Sequence, residues 1–184
     1  QRKNDAIFEA VKADMIMQPG NIIARKMLAL IMTPLLADFL RLSKDKDTEW
    51  ANVLVSRISG MIDNYPPDTW AIEINELDAP AVKETLEEGN EVMLQHLCTD
   101  PRDRTLQLDC VVLLLHRKDK EVLTPDANTT IRSGDQILFC GHSKAAAQMA
   151  WSAKNHNVLS YIRTGVTRPS GYIWRWLASE NEQS

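Results

Sequence analysis

The chain has 184 residues and a mass of 20.8 kDa, room for one generous domain or two small ones. Apolar residues make up 44% and charged residues 25%, which excludes a disordered tail, a collagen-like fibre and a disulfide-dense scaffold. Lys and Arg number 21 against 25 Asp and Glu, a formal net charge of −4; such a surface has no general attraction for phosphate backbones, so no nucleic-acid partner is expected. Cys98, Cys110 and Cys140 are widely spaced, with no C-x-x-C, and read as reduced, small apolar side chains of a cytosolic protein. No signal-peptide pattern opens the chain. The greasiest stretch, 27–40, is interrupted by Thr33-Pro34 and Asp38 and falls short of the roughly 20 apolar residues that a membrane span needs.

In chain order, residues 4–12 place Ile7, Phe8 and Val11 at helical spacing, and ADMIM (13–17) is strand-like up to Gln18-Pro19-Gly20. Asn21 is a helix cap, followed by Ile22, Ile23, Met27, Leu30 and Ile31 at three- and four-residue intervals. Leu28, Ala29 and Met32 make this helix apolar nearly all round, so burial on two sides is expected, either in its own core or against a second copy. Thr33-Pro34 bends or breaks it, and Leu35, Leu36, Phe39 and Leu40 carry a further helix to about Leu42. After the charged break SKDKDTE (43–49), Trp50, Val53, Leu54, Ile58 and Met61 form one stripe of an amphipathic helix ending near Gly60. NYPPD (64–68) reads as a stiff connector between domains.

The rhythm then changes. WAIEINEL (70–77) reads as a strand, and DAPAVKETLEEG (78–89) as a helix with Pro80 in its first turn and Gly89 past its end. VMLQHLC (92–98), CVVLLLHR (110–117), EVLTP (121–125) and QILFCG (136–141) read as strands. Ser143 is the expected cap of a helix through Trp151, and NVLSYIRTG (157–165) closes as a strand. The sum is an α+β module.

The segment from Cys110 to His142 resembles the C-terminal regulatory domain of RCK (regulator of potassium conductance) proteins, the TrkA-C domain. That pattern is an apolar strand, a charged hairpin, a P-x-x-x-T-x-I/L-x-x-G-D turn, a second apolar strand and glycine. Here it stands as Pro125, Asp126, Thr129, Ile131, Gly134, Asp135, Ile137, Leu138, Phe139 and Gly141. Gly134-Asp135 supplies a tight turn with a side-chain acceptor for free amides. ELDAPAVKETLEEG resembles the family's first strand-to-helix junction, and residues 13–40 are similar to the end of its N-terminal nucleotide-binding domain. The resemblance covers roughly 13–43 and 70–163.

The resemblance implies an α+β chain. A helical dimerisation arm ending a Rossmann-like domain (1–63) precedes a TrkA-C regulatory domain (70–165) and a tail (166–184). It implies the C-terminal portion of a longer protein, with any nucleotide site in a preceding half. No G-x-G-x-x-G occurs here, so no cofactor is expected in this chain. The implied function is a cytosolic, non-enzymatic gating domain of a potassium channel or transporter, controlled by a ligand through dimer geometry. Its partners would be a second copy or a ring, a small regulatory ligand, and a pore or carrier on the same or a separate polypeptide. The alternatives are a regulatory domain of another cation antiporter or anion transporter, and a nucleotide-using enzyme domain.

No Ser-His-Asp set, nucleophile elbow or carboxylate pair points to catalysis. His96 and Cys98, two apart on an expected strand, would share a face; a pair is too few for zinc, and no metal site is expected. Asn128-Thr129-Thr130 is a sequon without meaning in a cytosolic chain. His116, Arg117 and Lys118 read as a solvated hairpin tip. Ile23, Met27, Leu30, Ile31, Leu35, Leu36 and Phe39 are the expected dimer interface. In the family, effectors bind between paired modules; here Asn75, Glu76, His96, Arg102 and Arg104 are the expected ligand-binding residues. The arginines favour an anion, whereas Glu76, Asp78 or Asp100 would suit a cation. Tyr172, Ile173, Trp174, Trp176 and Leu177 in the tail read as a segment folded back on the domain, or else as a membrane or partner contact.

Overall fold

CVVLLLHR and QILFCG are too continuously apolar to alternate between core and water, which requires a sheet covered on both faces. The computed structural model has this arrangement; it describes residues 34–60 and 67–166, Asp119 apart. The strands are β1 (Asp68–Glu73), β2 (Cys110–Arg117), β3 (Lys120–Leu123) and β4 (Gln136–Gly141), antiparallel in the order β1-β4-β2-β3.

Along β4, Ile137 and Phe139 face one cluster while Leu138 and Cys140 face the other, the period-2 alternation of a strand. In β2 the register with β4 shifts between Val112 and Leu114. This bulge takes Leu113 out of the pairing and keeps Val112 opposite Phe139 and Leu114 opposite Leu138, so each pair stays on its own face. Gly141 lies against Asp109 and Cys110, and a Cβ there would meet the Cys110 Cα at 2.7 Å.

One face carries the helical arm. α1 (Pro34–Ser43) and α2 (Thr48–Ser59) bring Leu35, Phe39 and Leu54 onto Val111, Leu113, Leu114, Leu138 and Cys140. Asp47 caps α2 by accepting from the Trp50 amide at 2.8 Å. Val53 faces water, so among the described residues the stripe narrows to Trp50, Leu54 and Ile58; Met61 lies outside them. Of the expected dimer-interface residues on α1, Leu35 and Phe39 are buried and Leu36 is half-buried against the sheet of their own chain. Ile23, Met27, Leu30 and Ile31, the expected elements before residue 34 and the aromatic tail lie outside the described residues, as does most of NYPPD.

The other face carries α3 (Pro80–Glu87), α4 (Leu94–Leu97), α5 (Ser143–Lys154) and α6 (His156–Thr164). Two expected strands are therefore helices. Residues 92–98 hold α4, whose Leu94 and Leu97, three apart, both enter the core. Residues 157–165 lie in and just past α6, capped by Asn155 accepting from the Val158 amide at 3.1 Å and ended by Gly165 at φ 77°. The first strand starts and ends earlier than expected, at 68–73. The cap of α5 is His142, whose Nδ1 accepts from the Lys144 amide at 3.1 Å.

Candidate functional site

A charged junction lies where α4, the loop 99–109 and the end of α6 meet. α4 is a single turn, and His96 fixes it: Nδ1 accepts from the Met93 amide at 3.0 Å. That bond places the proton of the neutral ring on Nε2, leaving an N–H donor on the other side of the imidazole. Burial holds the His96 pKa below the usual histidine range, with the nearby charges of Arg163 and Arg104 adding to it. Arg104 also lies against Gly165, where a Cβ would collide with the guanidinium. Arg163 is held to the module by its Nε, which donates to the Glu91 carbonyl at 3.0 Å. Two guanidinium groups and an imidazole N–H thus share one neighbourhood, an arrangement that favours an anion.

Of the five expected ligand residues, the structure brings His96 and Arg104 together and adds Arg163. The sequence concealed Arg163 because 157–165 read as a strand; the cap Asn155 and the terminal Gly165 were the available signals for a helix. Arg102 is exposed, its amide donating to Asp100 Oδ1 at 2.8 Å. Asn75 holds the turn before α3, its Oδ1 accepting from the Leu77 and Asp78 amides at 2.9 and 2.8 Å. Glu76 pairs with Lys83 at 2.6 Å, which holds its carboxyl below the usual range. No hydrogen bond or ion pair among the described residues joins Asn75 or Glu76 to His96.

His96 and Cys98 do not share a strand face, since His96 is in α4 and Cys98 caps its end. Two other groups gather ligating atoms within 4.8 Å of one another: Asp38, His116 and Glu121, and Glu84, Glu88 and His156. In the first, Arg41 already holds Glu121 at 2.9 Å and Asp38 at 3.3 Å. In the second, His156 Nδ1 lies 3.4 Å from Glu84 Oε2.

Arg117, expected at a solvated hairpin tip, is instead half of a clamp. Asp135, 1% exposed, accepts from Arg117 Nε at 2.8 Å, Arg117 Nη2 at 2.6 Å and the Arg132 amide at 2.7 Å. Arg117 Nη2 also donates to the Thr130 carbonyl at 2.7 Å. The two-point contact with Asp135 raises the Arg117 pKa and commits its guanidinium to structure. The Gly134-Asp135 turn is thus as expected, with Gly134 at φ 82° and the carboxylate tying off a free amide.

Among the described residues, no helix is long and apolar enough to cross a membrane. No curated protein matches the sequence. Among the solved structures that match is S. agalactiae BusR in complex with its busAB-promotor DNA, at 16% identity and a TM-score of 0.27. The match covers 75% of this chain and 53% of that one, so this chain spans about half its length. At that TM-score the likeness assigns neither fold nor DNA contact here. The exclusion of nucleic acid read from net charge is withdrawn beside a match solved with promoter DNA. Net charge averages over all residues and cannot exclude a local basic surface. The TrkA-C domain model matches residues 74–150, from the end of β1 through most of α5. Residues 74–150 of this chain form a TrkA-C domain.

Proposed function

We propose that this chain is a regulatory, non-catalytic module of potassium transport. A small anionic ligand changes how two copies pair, and that geometry is passed to a pore or carrier. The TrkA-C match over 74–150 supports the regulatory part of this reading. The convergence of His96, Arg104 and Arg163 carries the sign of the ligand. A ligand shifts such an equilibrium only through its different affinity for the two states, so the anion must be held better in one pairing than in the other.

The experiment is a thermal-shift titration with a cyclic dinucleotide, run beside sedimentation to read the mass. At a ligand concentration of 100 Kd the gain is about 2.7 kcal/mol, which for a chain of this size raises Tm by roughly 5–10 °C. Arg104→Ala with Arg163→Ala removes the rise, and Arg102→Ala leaves it. Stabilisation by divalent cations alone, unchanged in the double variant, would overturn both the site and its charge.

A further inference from the structure

Cys98 and Cys110 are both tied to one residue. The Cys98 carbonyl accepts from the Leu108 amide at 2.7 Å, and the Cys110 amide donates to the Leu108 carbonyl at 2.7 Å. The antiparallel bridge between Thr99 and Gln107 closes the loop that separates them. Both cysteines line one pocket of about 230 Å³, with Gln95, Gln107, Arg57 and Pro125 on its wall. Both are only partly buried, whereas Cys140 is buried in β4. The Cys110 thiol is pushed up by side-chain hydrogen bonding to Cys98 and then by burial.

From the shared pocket and the common tie to Leu108, we infer that Cys98 and Cys110 are a dithiol pair that closes to an intramolecular disulfide when a peroxide enters the pocket. Hydrogen bonding and burial hold the Cys110 proton, which suits it to the resolving role and leaves Cys98 as the attacking sulfur. The Cys98 thiolate attacks one peroxide oxygen, the O–O bond breaks, hydroxide leaves and a sulfenic acid forms. The Cys110 sulfur then attacks the Cys98 sulfur and gives up its proton as the S–O bond breaks, releasing water. Two sulfurs lose two electrons in total and the peroxide is reduced. The bond would pin the end of α4 to the start of β2 and close the loop that carries Arg104.

The test is intact-mass analysis of the folded chain after hydrogen peroxide and after a reductant. The expected result is a loss of about 2 Da on oxidation, with two of the three thiols no longer open to alkylation and monomeric mass retained. Trypsin cleaves after Arg102 and Arg104, placing the two cysteines on separate peptides that only the disulfide holds together. Cys140→Ser keeps the mass loss, while Cys98→Ser and Cys110→Ser each abolish it. Where Cys110→Ser fails to fold, the peptide map of the unmodified chain decides alone. Oxygen adducts on Cys98 without a 98–110 link, or a link that runs between chains, would overturn the inference.

Discussion

The two faces of the sheet are built to different standards. On the face beneath α3 to α6, Ile74, Val82, Leu94, Ile137, Phe139, Met149 and Leu159 are wholly excluded from water. On the arm face, Leu138 and Leu114 are as well sealed, but the helical residues above them, Leu35, Phe39 and Leu54, keep 7%, 8% and 7% of their surface. Among the described residues, four helices close one side and two the other. The arm's margin is fastened by polar contacts, Trp50 Nε1 donating to Thr124 Oγ1 at 3.3 Å and Arg41 pairing with Glu121. Regions with fewer sealed apolar contacts open first, so the arm is the side on which this module can yield without losing its core.

The largest expected effect tests that asymmetry. Phe139→Ala removes a ring stacked on Trp70 with centroids 5.7 Å apart and should cost about 3–5 kcal/mol in urea denaturation. Phe39→Ala on the arm face should cost less, about 3 kcal/mol or below; equal losses would break the comparison. Next comes the clamp at the far end of the sheet. Asp135→Asn weakens the two-point contact with Arg117 and should cost about 2–4 kcal/mol. Arg117→Met made together with it should recover part of that loss, read from a double-variant cycle.

Hydrogen exchange sharpens the same contrast without mutation: amides of α1 and α2 should exchange faster than those of β2 and β4 in the folded protein. Uniform exchange across both would show that the arm and core open as one unit.

The smallest effect is in pH. The native state favours the neutral His96 ring, because burial and then Arg163 and Arg104 disfavour its charge. Between that lowered pKa and the ordinary value of about 6.5 the unfolded chain binds more protons, so this contribution is full above that range and is lost as pH falls through it. Acidification from neutral pH should lower Tm, and His96→Asn, which keeps an acceptor for the Met93 amide, should flatten that slope. A bound anion offsets the arginine charges, and a saturating ligand should flatten it as well.

Much of this fold was legible, and the failures have causes. The runs in β2 and β4 were long, β-branched or aromatic, and bounded by turn residues, and α1, α2 and α3 had clear stripes or caps. VMLQHLC failed because a seven-residue apolar stretch fits either period; what decides is that Leu94 and Leu97 must both reach the core. NVLSYIRTG failed because its β-branched residues outweighed the spacing of Leu159 and Ile162, and the capping Asn155 was not read. That error also hid Arg163 from the candidate site. The Arg117–Asp135 clamp joins residues far apart along a hairpin, and no local pattern reports which arginine a buried aspartate will choose.

The bulge gives β2 something like a reading frame. Leu113 sits between two stretches that each keep their own sides, and its carbonyl still receives the Thr124 amide at 2.9 Å. Removing one residue at Leu113 would leave Val112 and Leu114 opposite their present partners and cost chiefly its own buried side chain. Removing Leu115 would slide His116 and Arg117 by one place, turning the imidazole inward and pulling the clamp off Asp135. A chain that has changed length within this strand can have done so cheaply only at the bulge, and every other site along β2 is frameshift-intolerant at the level of the protein itself.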